Sequence, residues 1–158
     1  MWFFMYSCYM MSLITFIALV IGFFQSFLNF PIFQAHHVTF MILTSILYLF
    51  TETLVIFFFV GTGVSVRDFS KENNLDPQYH KRSIAIKRRV YPPLLLNIFI
   101  MIIVFILVGA VDTFRLPSWI YQSVFIFGIV HYIKAKVIQN YCFRDNTQII
   151  LEMSGISS

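Results

Sequence analysis

One carboxylate stands inside an otherwise uncharged apolar run: Glu52, within about 38–61. Read at helical spacing, His37, Thr44, Tyr48 and Glu52 lie near one face. Thr44, Tyr48 and Glu52 follow one another at i, i+4, which stacks them along a helix, with Ser45 and Thr51 flanking. A carboxylate inside hydrocarbon costs about 2.5–3.5 kcal/mol on insertion scales. Glu52 must therefore face a protein interior, carry a proton, or meet a donor. Two kinds of chemistry follow: a proton or ion relay, or a contact to a quinone. The plainer alternative is an interhelical hydrogen bond. Asn97, the strongly polar residue of another apolar run, sits at a matching depth and is the expected partner; a neighbouring subunit would serve equally. Structural pairing is the expectation, with the relay as its rival.

Four histidines raise the question of haem or metal: His36, His37, His80 and His131. A haem held by two histidines needs them at similar depth on facing helices. The reading below puts His37 at one end of its span and His131 at the other end of a different one. Adjacent His36 and His37 do not share a helix face. His37 and His131 thus remain haem or metal candidates only where a second subunit supplies the other ligand, and no cofactor is expected for the chain alone. Haem b or quinone would bind at such an interface. No Cys/His spacing of the zinc type occurs. Cys8 and Cys142 are far apart, no C-x-x-C motif is present, and free thiols are expected. Gly61-Thr62-Gly63 is too short for a phosphate-binding loop, and no Ser/His/Asp set can be assembled. The basic stretch Lys81, Arg82, Lys87, Arg88 and Arg89 suits anionic lipid head groups, at about 1 kcal/mol per basic residue near such a surface. The same charges also control topology, and because they hug a membrane, nucleic acid is not an expected partner.

The elements that must position these residues follow from composition. Of 158 residues, 59% are hydrophobic and 11% charged, against about 25% charged in a soluble domain. A soluble enzyme and a disordered tail are both excluded. A membrane helix needs about 20 apolar residues, and four runs qualify, at about 9–30, 38–61, 93–111 and 117–133. Continuous apolar stretches such as Phe99–Gly109 exclude the alternation of membrane strands. The expected fold is all-α, a single four-transmembrane-helix bundle, with a long connection over about 62–92. Gln25, Ser26 and Asn29 mark the end of the first run, where Asn29-Phe30-Pro31 breaks the helix. That run lacks a basic segment before it and a clear cleavage site, so it reads as a retained span rather than a signal peptide. Gly61-Thr62-Gly63 is expected to close the second helix. Lys81–Arg89 is expected as a short surface helix, and Pro92-Pro93 as the first turn of the third span. Ten of the eleven Lys and Arg residues lie in the long connection or after the fourth span. The charge rule then places both termini and that connection in the cytoplasm.

The runs Phe57-Phe58-Phe59-Val60-Gly61-Thr62-Gly63, Lys87-Arg88-Arg89-Val90-Tyr91-Pro92, Gly109-Ala110-Val111-Asp112 and Leu116-Pro117-Ser118-Trp119 together resemble a family of small four-helix bacterial inner-membrane proteins. The resemblance covers about residues 36–150. It implies four helices and a bacterial inner membrane, and no assigned activity. It also implies that histidine often stands where Glu52 and Tyr121 stand here, with His37 matching a family histidine. The expected function is an accessory, structural subunit of a larger membrane complex, respiratory or otherwise energy-converting. Its partners would be other membrane subunits and lipids, anionic ones included. The alternatives are a haem- or quinone-binding anchor of a redox complex and a small proton-coupled carrier using Glu52.

Overall fold

The computed structural model describes residues 2–28, 30–31 and 35–155. Asn29 lies outside them. The chain forms four helices: α1 (Trp2–Leu28), α2 (His37–Glu72), α3 (Gln78–Asp112) and α4 (Ser118–Met153). They run up and down, each beside the next, and α1 closes the ring against α4 over a shorter stretch. The first three are long and apolar enough to cross a membrane. On α4 the stretch from Ser118 to Ile133 carries no charge, and Lys134, Lys136, Arg144 and Asp145 follow.

The sequence pattern explains the bundle. Buried positions on α4 recur at Tyr121, Phe125, Gly128, Tyr132, Ala135, Gln139 and Cys142, and on α3 at Val90, Leu94, Asn97, Met101, Val104 and Val108. Steps of three and four make the narrow seam along which helices knit side by side. Residues off the seam, such as Leu43, Phe50, Phe99, Ile106 and Val130, stay exposed, as a lipid-facing surface requires. Small residues let backbones approach: a methyl group added at Gly128 would stand 2.9 Å from the Met101 sulfur.

Three boundaries differ from expectation. Gly61 and Gly63 do not end α2; the helix continues to Glu72, so the connection contracts to a turn at Asn73–Pro77. Gly63 is used for space instead, because a Cβ there would run into the Lys87 side chain on α3. Lys81–Arg89 is not a separate surface helix but the first half of α3, which passes through Pro92 and Pro93 unbroken. Internal prolines free the carbonyls one turn earlier. These lie about 35 Å along the axis from Asp112, past a hydrocarbon layer of about 30 Å, where water can satisfy them. The start of α3 is set by Asp76, whose Oδ1 accepts the Gln78 backbone N–H at 2.8 Å. Among the three differences the common cause is tertiary: each stretch continues its helix because a neighbour continues beside it.

At 35 or 36 residues, α2, α3 and α4 are each about 54 Å long, well beyond a hydrocarbon core of about 30 Å. The basic residues decorate the projecting end. There Arg82 on α3 makes a forked ion pair with Glu152 on α4, and Arg89 approaches Asp145 at 3.5 Å. Hydrogen bonding from Arg82 holds the Glu152 carboxyl below its ordinary value. A carboxyl lowered in the fold adds stability above its unfolded value, and the contribution fades as pH falls through the folded value. The wild-type chain should therefore melt above Glu152→Gln at pH 7, with the gap closing below about pH 4; thermal melts of both proteins across that range check it, and a gap independent of pH would count against the pair.

Candidate functional site

The interior divides into two apolar clusters with a polar layer between them. The cluster at the basic end includes Cys8, Val55, Phe59, Val90, Leu94 and Cys142. The cluster at the opposite end includes Leu19, Met41, Tyr48, Met101, Phe125 and Tyr132. Between the two sets every helix buries a polar residue: Thr15 on α1, Thr51 and Glu52 on α2, Asn97 on α3, and Gln139 on α4, each at most 2% exposed.

Glu52 is the centre of that layer. Counted from the start of α2 it lies about 22 Å deep, inside the hydrocarbon layer. Its partner is not Asn97 but Lys136 on α4, with Nζ 2.7 Å from Oε1; the two side chains are 3% and 18% exposed. Gln139 completes a ring. Its Nε2 donates to Glu52 Oε2 at 3.2 Å, and its Oε1 accepts from Lys136 Nζ at 3.0 Å. The ammonium also sits 4.9 Å from the centre of the Tyr132 ring. Residues i and i+3 on a helix are neighbours, so Lys136 and Gln139 present their head groups together. The ring joins α2 to α4, helices diagonal to each other in the bundle whose backbones touch only sparsely.

Asn97 serves a second tie. It accepts from the Tyr48 hydroxyl at 2.8 Å and donates to the Gly128 carbonyl at 3.2 Å, linking α2, α3 and α4. Thr15 and Thr51 share a hydroxyl hydrogen bond of 2.8 Å between α1 and α2, and the Tyr132 hydroxyl donates to the Ser12 carbonyl at 3.1 Å. Thr44 turns back to the Phe40 carbonyl of its own helix. Of the seam read along α2, Tyr48 and Glu52 enter the layer, Thr44 stays local, and His37 belongs to a different tier.

That tier lies where α1 ends and α2 begins. His37 Nδ1 is 3.4 Å from the Gln25 amide oxygen and Nε2 is 3.0 Å from the Tyr121 hydroxyl. An amide oxygen accepts, so Nδ1 carries the proton and Nε2 accepts from Tyr121 in the neutral ring. The Gln25 nitrogen donates to the Phe30 carbonyl. Both ring nitrogens of His37 are thus engaged within the chain. His131 stands thirteen residues into α4, about 20 Å along the axis from its start, so the two histidines do not face one site. Among the described residues its buried Nδ1 has no hydrogen-bond partner, and its ring lies beside Phe127. Among the described residues no three His, Cys, Asp or Glu side chains converge as metal ligands. His80 lies in the first turn of α3. Cys8 and Cys142 are free and buried.

The basic stretch separates into distinct roles. Arg82 and Arg89 face acidic partners on α4, Lys87 lies across Gly63, and Lys81 and Arg88 are exposed. Lys136 is the residue that sequence reasoning left out of the seam, because the fourth span was taken to stop before it. Its signal was the buried spacing Tyr132, Ala135, Gln139 and Cys142, which keeps the heptad rhythm through the charged segment.

Chemically, the layer neutralises its own charge, the Glu52 carboxylate meeting the Lys136 ammonium through one oxygen and the Gln139 amide through the other. No protein family, curated protein or solved structure matches this chain. Replacing Asn97 by Leu strips the Tyr48 hydroxyl of its acceptor and the Gly128 carbonyl of its donor. We expect Asn97→Leu to cost about 1–2 kcal/mol, with part of that recovered by adding Tyr48→Phe, as measured by reversible unfolding in mixed micelles.

Proposed function

We propose that the chain is a non-catalytic structural component of a larger membrane assembly, respiratory or otherwise energy-converting. We place it in a bacterial inner membrane, its basic end in the cytoplasm. The observation that carries this reading is the closed polar layer. Glu52, the residue with the strongest claim to chemistry, is held by Lys136 and Gln139 of the same chain. A relay or carrier needs a carboxylate that can exchange its partner, and this one is ringed.

The charge asymmetry supports the orientation, and the resemblance of the runs at 57–63, 87–92, 109–112 and 116–119 supports the bacterial membrane. Assembly is supported by the length of the bundle. Phe69 and Ile84 are exposed on the end that projects past a hydrocarbon core, at 44% and 37%, and apolar surface in that position favours a covering partner. The exposed cations Lys81 and Arg88 suit anionic lipid at the membrane surface.

One feature favours a second reading, a redox anchor. His131 keeps a buried, unpartnered ring nitrogen beside the exposed residues Phe127 and Val130. A subunit on that face would supply the second ligand of a haem. The test of both readings starts from native membranes solubilised gently. The chain is expected to migrate in a defined complex well above its own 18.6 kDa, without a Soret band that depends on His131. Migration solely as a free monomer would sink the structural reading, and a Soret band abolished by His131→Leu would replace it with the redox one.

A further inference from the structure

Three of the Lys and Arg side chains are half-buried: Arg82, Lys87 and Lys136. Two of them meet carboxylates, Arg82 on Glu152 and Lys136 on Glu52. Among the described residues no acid pairs with Lys87. Its ammonium is nevertheless held in place. The Lys87 Cε and Nζ occupy the space that a Cβ on Gly63 would take, so the side chain lies in a notch of α2 that glycine leaves open. Ser83, one turn before Lys87 on α3 and 2% exposed, borders the same notch, with its Oγ 3.3 Å from that point.

The nearest charge to act on Lys87 is another cation. Arg67 follows Gly63 by one turn on the same face of α2. Asp68 engages it through Nε, which leaves the terminal guanidinium nitrogens for another acceptor. Partial burial first, and the Arg67 charge second, hold the Lys87 ammonium below its ordinary value. A cation drawn from water and set beside a like charge is costly unless an anion answers it. The chain answers Arg82 and Lys136 with its own acids and leaves Lys87 to an anion from outside.

Depth says which anion. Lys87 stands about 38 Å along α3 from Asp112, and Gly63 about 39 Å along α2 from His37. A bilayer is about 30 Å thick in its hydrocarbon and about 40–45 Å with its head groups. Both helices therefore put the notch in the head-group layer at the basic end, where the abundant anions are phosphates.

We propose that Lys87 and Arg67, with the Ser83 hydroxyl beside them, hold a phosphate group, presented at that depth by an anionic lipid. Lys81 and Arg88 differ from this site: exposed on α3, they attract a charged surface without fixing one lipid on it. The site rests on the reading of the chain as a membrane protein with its basic end at the surface, and not on the assembly proposed above. A chain that migrates alone on native gels and still binds lipid at Lys87 would separate the two.

Lys87→Met removes the charge and keeps the stem, and Lys81→Met makes the same change on the exposed side. The full-length proteins are purified in neutral detergent and melted with and without phosphatidylglycerol, and retained lipid is counted by native mass spectrometry. The lipid should raise the melting temperature of wild type and Lys81→Met, and leave that of Lys87→Met almost unmoved. Retention by Lys87→Met should be about tenfold weaker. Without lipid, Lys87→Met should melt no lower than wild type, because an unanswered charge is gone; a lysine that merely braced the helices would lower the melt there, and that result overturns the proposal. Equal stabilisation of wild type and Lys87→Met overturns it too, as does equal loss in both variants. Inorganic phosphate in place of the lipid separates the sources: stabilisation by the lipid alone assigns a head group, and equal stabilisation by the ion assigns free phosphate to the same site. Lys87→Met that keeps its lipid but leaves a native complex assigns the anion to a partner's acid instead, against the proposal. Arg67→Met gives the same selective loss if Lys87→Met does not fold.

Discussion

The structure depends on one constraint: a carboxylate carried into hydrocarbon must be answered from within the chain. Glu52 is answered by Lys136, and Gln139 binds both. Breaking such a pair by removing one partner leaves an isolated charge, typically at about 3–5 kcal/mol, whereas replacing both with apolar residues is often neutral. Stability alone therefore does not explain why the pair is present. Specificity explains it better. Lipid tails are as apolar as the helix faces they touch, so apolar burial does little to tell one helix register from another. A layer to which every helix contributes a polar residue does. Sliding α4 by one turn against α2 would carry Lys136 away from Glu52 and leave both charges unpaired.

The two apolar clusters take their meaning from that layer. Above and below it the seams of three- and four-residue steps are interchangeable in chemistry. The layer chooses which turn meets which. Asn97 extends the choice to α3 through Tyr48 and Gly128, and the Thr15–Thr51 bond extends it to α1. At the far end His37, Gln25 and Tyr121 repeat the device and tie the connection after α1 to α4. These residues include the ones that look most functional in the sequence. Their partners show why residue type alone overstates their chemistry: a histidine with both nitrogens engaged is a strut.

The architecture was legible because membrane spans are written in composition and length. So was the importance of Glu52, since a lone acid in an apolar run is conspicuous. Its partner was not legible. Lys134 and Lys136 resemble the polar flank that ends a span, and a lysine reaches back along its own helix through four methylenes. Helix continuation past Gly61, Gly63 and Pro92 was hidden for the same reason. Glycine and proline weaken a helix locally, but three helices continuing in parallel restore in packing what each loses alone. The narrow stripes of buried residues on α2, α3 and α4, carried through the charged segments, were the readable sign that the bundle outlasts the bilayer.

The most direct measurement of this account is a double-mutant cycle between Glu52→Leu and Lys136→Met, followed by reversible unfolding in lipid-detergent micelles. The account predicts that each single substitution loses about 3–5 kcal/mol and that the double variant recovers most of the loss. Single variants as stable as the wild type, or losses that simply add in the double variant, would contradict it.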